Sequence, residues 1–177
     1  MVVYEQVEGV YHRCNCITPS SAGDSHTAAL TEDGEVWAWG TFRDSSGAIG
    51  LVAPMQIERA PVRVLPSVRV TKLASGSDHL ALLGSQGDLW TLGNGEQGQL
   101  GRVMERFSHR GGRRGLTALL NPAQVHLARR QGRGFTDVWA GSYNTVAVTQ
   151  TEEVRNLCNG KQFIVSIVGL AGGGDGT

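Results

Sequence analysis

The stretch AGDSHTAALTEDGEVWAWG, residues 22–40, is echoed by SGSDHLALLGSQGDLWTLG at residues 75–93. Six positions coincide when the copies are aligned at a constant offset of 53 residues, beginning with Gly23 and Gly76. A third, less regular copy begins at AGSYNTVAV, residues 140–148. A fixed-period echo is typical of repeat architectures, in which a unit buries its apolar face only by stacking on its neighbours.

Each of the first two copies has the pattern of a β-hairpin. An apolar run is followed by a turn dipeptide, Asp33-Gly34 or Gln86-Gly87, and then by alternating large residues. Extended segments at 61–65 and 68–74 supply further strands. About four strands in units of roughly fifty residues, without an amphipathic helix, favour the blades of a β-propeller over a helical solenoid.

The composition limits the classes of partner. The 177 residues include 16 basic and 16 acidic ones, so no global field draws the chain to nucleic acid or membrane. No apolar run approaches the roughly 20 residues that cross a bilayer, and the polar start MVVYEQVEGVYHRC does not have the pattern of a signal peptide. We expect a soluble intracellular protein without a membrane partner or a small-molecule substrate.

Histidine and cysteine give little indication of a metal site. His26 and His79 recur at equivalent positions, but no carboxylate or cysteine recurs beside both with ligand spacing. Packed, hydrogen-bonded histidines are therefore favoured over metal ligands or bases. Cys14, Cys16 and Cys158 are an odd set that lacks the second half of a zinc site, so we expect structural thiols, no metal and no cofactor.

Two features near the hairpins are candidates for binding. Asp24 and Asp78 follow the glycines that open the copies, where a carboxylate can cap its own loop by accepting backbone N–H bonds. The loop GTFRDSSG (40–47) is two residues longer than its counterpart GNGEQG (93–98). Extra length in one copy maps to a loop on a face, and we expect a hairpin that exposes an apolar and a charged side chain; a merely longer turn is the alternative.

Half of the positive charge lies in one segment, residues 102–133, which holds a single acid, Glu105. Its eight arginines are Arg102, Arg106, Arg110, Arg113, Arg114, Arg129, Arg130 and Arg133. The segment stretches the interval between opening glycines from 53 to 65 residues, so we expect a long basic loop. Arginine forks bind phosphate and carboxylate, which suits DNA or an acidic protein surface; a solvated loop is the alternative.

The C-terminal stretch GLAGGGDG (169–176) lacks the Lys-Ser/Thr of a P-loop and instead resembles the start of another unit that arrives early. The third copy also lacks the VWxxG strand. We therefore divide the chain into a non-repeat segment (1–19), a first repeat (20–66), a second repeat (67–134) with a basic loop at 102–134, and a partial, degenerate third repeat with a C-terminal segment (135–177).

Four stretches together resemble the regulator of chromosome condensation family, chromatin-bound guanine-nucleotide exchange factors for the GTPase Ran. They are GDSHTAALTEDGEVWAWG, FRDSSGAIGL, ASGSDHLALLGSQGDLWTLGNGEQGQLGRV and RGGRRGLTALLNP. The resemblance covers roughly residues 20–150. It implies an all-β fold, an incomplete propeller with about two complete four-stranded blades plus partial ones, of the family's seven.

The resemblance also implies an exchange activity without bond chemistry. An exchange factor binds the nucleotide-free GTPase more tightly than the loaded one, so nucleotide release is accelerated. Asp24 and Asp78 match aspartates on the Ran-facing side. Phe42, Arg43 and Asp44 match a wedge that the family presses against Ran near its nucleotide. The nucleotide and its magnesium belong to Ran.

For chromatin, the segment HRGGRRGL with Arg110, Arg113 and Arg114 matches the loop with which the family docks on the nucleosome, at the acidic patch of its histones and beside DNA. The implied location is the nucleus, on chromatin; the cytoplasm stays open because the family's basic N-terminal tail is not seen. The alternative is an inactive truncated propeller that acts at most as an interaction module, because absent blades leave edges exposed.

Overall fold

The computed structural model describes residues 3–7, 10–14, 21–102, 109–111, 115–126, 134–151, 153–158 and 161–165. Within these ranges the fold is all-β except for a four-residue helix, α1 (Thr117–Leu120). Strands β1 (Val3–Val7) and β2 (Val10–Cys14) form an antiparallel pair of their own.

Three four-stranded antiparallel sheets follow one another along the chain. The first contains β3 (Ser21–Ala22), β4 (His26–Leu30), β5 (Val36–Gly40) and β8 (Glu58–Val64). The second contains β9 (Val70–Ser75), β10 (His79–Gly84), β11 (Leu89–Gly93) and β12 (Ala123–Gln124). The third contains β13 (Phe135–Ala140), β14 (Thr145–Thr149), β15 (Val154–Cys158) and β16 (Lys161–Val165). The predicted all-β architecture of propeller repeats is confirmed.

The echo in the sequence is an echo in strand register. In the first sheet His26 pairs with Gly40, and in the second His79 pairs with Gly93, so both central hairpins have the same register. The first unit has an additional hairpin, β6 (Phe42–Asp44) with β7 (Gly47–Gly50). No counterpart of this hairpin forms in the second unit, where residues 94–102 contain turns, because the shorter loop lacks the residues for two strands.

The third unit is more complete than its sequence pattern predicts. Although the VWxxG strand is missing, VRNLC and KQFIV pair as β15 and β16. Asn159-Gly160 between them is a dipeptide typical of two-residue hairpin turns. Strand formation requires only extended segments joined by suitable turn residues, so the family's letters are not needed. The stretch 169–176 lies outside the described residues.

The sheets pack face to face through two apolar clusters. One joins the first and second sheets and includes Ala28, Leu30, Leu80 and Leu82. The other joins the second and third sheets and includes Ala81, Leu83, Val138 and Ala147. Because side chains alternate along a strand, β10 sends its even-numbered residues to one neighbour and its odd-numbered residues to the other. Each buried leucine contributes about 1.5–3 kcal/mol to this packing.

The opening glycines allow the sheets to approach each other closely. A Cβ atom on Gly23 would lie 2.4 Å from the carbonyl oxygen of Gly76, and one on Gly76 would lie 2.5 Å from that of Gly141. The same stacking appears in hydrogen bonds between units, since Asp24 N–H donates to Ser77 O at 2.8 Å. These glycines are therefore required by the spacing between units as well as by the local turn.

Candidate functional site

The insertion in the first unit forms the hairpin β6–β7, but not with the expected exposure. Phe42 is fully buried, and its ring meets the His26 ring edge-on with centroids 4.7 Å apart. The expectation that Phe42 is exposed is therefore wrong. The first residue of β6 faces the core, whereas Arg43, the next residue, faces solvent because side chains alternate.

The second unit fixes the backbone of this hairpin on both sides of Arg43. Arg43 N–H donates to Asp78 Oδ1 at 2.8 Å, and Arg43 O accepts a hydrogen bond from Asn94 Nδ2 at 2.9 Å. Asp78 thus caps backbone N–H groups as predicted from its residue type, but in a segment 35 residues away and not in its own loop. The Arg43 side chain is held at a defined place while staying exposed.

Glu96 holds the tip of the hairpin. Its Oε2 atom accepts Ser45 N–H at 3.0 Å, and its Oε1 atom accepts the Ser45 hydroxyl at 2.7 Å. Burial raises the pKa of Glu96, but hydrogen bonds from His109 and Ser45 outweigh this and leave the pKa below its ordinary value. Sequence reasoning missed Glu96 and Asn94. The available signal was that loops 40–47 and 93–98 occupy equivalent places in adjacent units.

The basic loop is fastened to the same tip. Arg110 donates to Asp44 through Nε at 2.9 Å and through Nη2 at 3.2 Å, and the Asp44 side chain is only 2% exposed. Ser46 N–H also donates to Asp44 Oδ1, at 2.8 Å. His109 Nδ1 lies 2.7 Å from Glu96 Oε1. We refer to Asp44, Glu96, His109 and Arg110 together as the clasp.

Three members of the clasp could in principle hold a metal ion. Asp44, Glu96 and His109 offer ligand atoms that all lie within 4.8 Å of one another. Their oxygen atoms already accept hydrogen bonds from Ser46, Ser45 and Arg110, and a guanidinium in direct contact with Asp44 repels a cation. The donor set therefore does not fit a metal, and the clasp is an ion-pair network.

Asp24 lies on a polar groove formed where the three units meet. The groove has a volume of about 310 Å³ and is lined by residues 22–24, 75–77 and 140–142, the three copies of the opening motif. The carboxylate of Asp24 is exposed, and among the described residues no group donates a hydrogen bond to it. Burial raises the pKa of Asp78, opposed by the N–H of Arg43 and reinforced by the charge of Asp24. The two aspartates thus form an acidic patch beside Arg43.

Two family models match this part of the chain. Both are described as the "Regulator of chromosome condensation (RCC1) repeat", and they cover residues 21–47 and 86–148, together about half of the chain. The chain is 58% identical over 136 residues to the Regulator of chromosome condensation of Xenopus laevis, and 52% identical over 153 residues to that of Homo sapiens. The chain belongs to the regulator of chromosome condensation repeat family.

Further relatives in the family bear on function and fold. The Guanine nucleotide exchange factor SRM1 of Saccharomyces cerevisiae is 42% identical over 91 residues, which is 49% of this chain and 19% of that protein. The crystal structure of Prp20p from Saccharomyces cerevisiae, described with its binding properties to Gsp1p and histones, is 32% identical with a TM-score of 0.64. That alignment covers 78% of this chain and 30% of Prp20p.

The shared region is only a part of the relatives. The matches to the Xenopus and human proteins cover 76% and 85% of this chain but 32% and 36% of those proteins, so the chain spans about a third of their length. The matched repeats include the hairpin β6–β7 up to Gly47, and the segment with Glu96 and Arg110.

Not all arginines of the basic segment are available to a partner. Arg102 donates hydrogen bonds to the carbonyl oxygens of Thr91, Ala118, Leu119 and Asn121, at 3.0–3.3 Å. Burial lowers the pKa of its guanidinium to about 10. Arg102 therefore joins β11 to the end of helix α1 as a structural residue. Arg113 and Arg114 lie outside the described residues.

The paired histidines are both buried and differ in their partners. Burial lowers the pKa of His26 and of His79 to about 4, so both are neutral near pH 7. His79 is hydrogen-bonded to Thr145 as the sequence predicts, with 2.9 Å between Nε2 and Oγ1. Neither ring nitrogen of His26 has a partner within the described ranges. His26 instead contributes an aromatic face to Phe42.

The remaining sequence expectations concern cysteine and the membrane. Cys16 and the side chains of Cys14 and Cys158 lie outside the described part of the chain, so the expectation of structural thiols stays a prediction. In the residues that are described, no helix has the length and apolar character needed to cross a membrane.

Proposed function

We propose that the chain carries the GTPase-facing part of a guanine-nucleotide exchange factor for the small GTPase Ran. The observation that carries the proposal is the position of Arg43. It is an exposed cation on a hairpin whose backbone the neighbouring unit fixes, and it stands beside the acidic patch of Asp24 and Asp78. The family membership, and the exchange-factor relative SRM1, support this function.

The proposed mechanism is differential binding and involves no bond chemistry. If the hairpin binds the nucleotide-free GTPase more tightly than the loaded GTPase, linkage requires that nucleotide binds the complex more weakly by the same factor. A rigid hairpin is suited to this role because little ordering free energy is lost when it binds. Nucleotide release is then faster, and GTP refills the site because it is the more abundant nucleotide in cells.

The residues divide the work in this proposal. Arg43 and the tip around Asp44 approach the region of Ran that holds the nucleotide phosphates and magnesium. Asp24 and Asp78 attract a basic surface of Ran and hold it in place. Phe42 contacts the core and not Ran, because its side chain is fully buried. Its contribution is to anchor the base of the hairpin against His26.

Chromatin docking is the second part of the proposal. Prp20p, a relative of known structure, is described with binding properties to histones, which supports a nuclear, chromatin-associated role. We propose that Arg110, Arg113 and Arg114 of the basic loop bind the acidic patch of the nucleosome's histones or nearby DNA phosphates. Such contacts weaken as salt rises, because counterions screen them.

A direct test uses Ran loaded with a fluorescent GDP analogue. The chain is titrated against loaded Ran in excess GTP, and the release rate is followed by fluorescence. Acceleration above the intrinsic rate is expected. Since the chain spans about a third of its relatives' length, the second candidate function is a binding module without exchange. Binding of Ran with no acceleration would establish that second function and exclude exchange.

A further inference from the structure

The hairpin and the basic loop, to which the proposed function assigns different partners, share one ion pair. Arg110 comes from the basic loop and Asp44 comes from the hairpin, 66 residues earlier in the chain. Their two hydrogen bonds, at 2.9 and 3.2 Å, have the bidentate geometry that makes arginine–carboxylate pairs strong. A change at either surface is therefore transmitted to the other through this pair.

The two partners of the pair differ in exposure. The Arg110 side chain is 34% exposed, so a second carboxylate can reach its guanidinium from solvent. The Asp44 side chain is 2% exposed and has no such access to water. If Arg110 leaves, Asp44 keeps only the N–H of Ser46 among its described partners. A buried carboxylate in that situation is unfavourable unless the hairpin shifts and admits water.

The turn that carries Arg110 also depends on the pair. Arg110 has φ +47° and Gly111 has φ +75°, so two successive residues lie in the left-handed region. For a residue other than glycine this conformation costs about 1 kcal/mol or more, and it persists where surrounding contacts enforce it. In the described residues those contacts are the bonds from Arg110 to Asp44 and from His109 to Glu96.

We propose that an acidic partner of the basic loop competes with Asp44 for Arg110, so that docking of the loop loosens the hairpin. The inference rests on the proposed function for its acidic partner and adds the coupling between the two surfaces. Linkage makes the coupling reciprocal: whatever stabilises the clasped hairpin weakens binding of the acidic partner at Arg110 by the same factor.

The test uses the full chain and poly-L-glutamate as the acidic probe. Hydrogen exchange of the Ser45 and Ser46 amides, which donate to Glu96 and Asp44, is measured with and without the probe. Faster exchange of both amides in the presence of bound probe is expected. Unchanged protection with the probe bound would overturn the competition and leave the docking proposal standing. Failure of the probe to bind would overturn both.

Charge-matched variants supply the second measurement. Asp44→Asn and Glu32→Gln each remove one negative charge, but only the first frees Arg110; Glu32 is exposed on the first unit. Asp44→Asn should bind poly-L-glutamate about threefold more tightly than Glu32→Gln does. Equal affinities of the two variants would overturn the proposal.

A third variant covers the case in which Asp44→Asn does not fold. Arg110→Gln, at a partly exposed side chain, should speed exchange of the Ser45 and Ser46 amides without any probe and should abolish the further effect of the probe. Its far-UV circular dichroism is expected to match that of the parent. A probe effect of parental size in Arg110→Gln would contradict competition for this residue.

Discussion

The Nε2 atom of His79 lies 2.9 Å from the hydroxyl of Thr145 in the next unit. Thr145 donates its own proton to the carbonyl oxygen of Gln99 at 2.8 Å, so the hydrogen bond with His79 requires the proton to be on Nε2. His26 occupies the same place in the first unit, but the residue that corresponds to Thr145 is Leu80. The apolar neighbour explains why His26 has no partner for its ring nitrogens within the described residues.

We predict that the protein loses stability as the pH falls from about 6.5 towards 4. Burial lowers the pKa of His26 and His79 from 6.5 to about 4 in the folded state, so the unfolded state binds more protons between these values. Their contribution is fully present above pH 6.5 and decreases by up to about 1.4 kcal/mol per histidine for each pH unit below it. Urea unfolding at pH 7.5, 6 and 5 measures this slope.

The control for the pH prediction comes from the chain itself. The third unit has Asn144 where the others have histidine, so asparagine is compatible with this place in a unit. The double variant His26→Asn/His79→Asn should therefore show a flatter dependence of unfolding free energy on pH than the parent. An equally steep dependence would assign the acid sensitivity to other groups.

Gly76→Ala is predicted to destabilise the fold by about 3 kcal/mol or more, because overpacking at a rigid contact cannot relax. The new Cβ would lie 2.1 Å from His79 Cε1 and 2.5 Å from Gly141 O. Gly115→Ala is the comparison: Gly115 has φ +68° and no atom within 4 Å of its Cβ position, so only backbone strain of about 1 kcal/mol is expected. Equal losses in thermal unfolding would contradict close packing between units.

Arg102→Lys is predicted to destabilise the protein by about 2–3 kcal/mol even though the charge is kept. The guanidinium donates at once to Thr91, Ala118, Leu119 and Asn121, and an ammonium group cannot reproduce this fork. Hydrogen exchange should report faster exchange in α1, with little change in β4. A loss spread evenly over the chain would contradict a local anchoring role.

The sequence predicts the fold well where it repeats itself. The offset of 53 residues predicts the two central hairpins, and the structure gives them the same register, His26 with Gly40 and His79 with Gly93. The strands β15 and β16 could not be predicted from the echo because their residues do not follow it. They are detectable only as extended segments flanking Asn159-Gly160.

The candidate site is less predictable because its contacts join distant parts of the chain. Sequence reasoning finds the hairpin at 42–50, but the partners of its residues lie 35, 51 and 66 positions away, in Asp78, Glu96 and Arg110. The direction of Phe42 also depends on tertiary packing, since alternation along β6 leaves two possible orientations. Nothing in the sequence near residue 42 distinguishes them.

The last prediction separates the hairpin's contact with Ran from its anchoring. Arg43→Ala removes an exposed side chain and keeps the backbone bonds to Asp78 and Asn94, so the fold should be unchanged. If Arg43 contacts the GTPase more favourably once nucleotide has left, nucleotide release should slow by about tenfold, equivalent to about 1.4 kcal/mol. Binding of GDP-loaded Ran should change much less, because the contact is made mainly in the empty state.

Two controls make this prediction specific. Arg59→Ala also removes an exposed arginine from the first unit, on β8, and is expected to leave release at the parental rate. Phe42→Ala empties a fully buried position and should cost about 3–5 kcal/mol of stability, so a slower release in that variant reports unfolding. A release rate for Arg43→Ala equal to that for Arg59→Ala would remove Arg43 from the mechanism. The acidic patch of Asp24 and Asp78 would then have to distinguish the loaded from the empty GTPase.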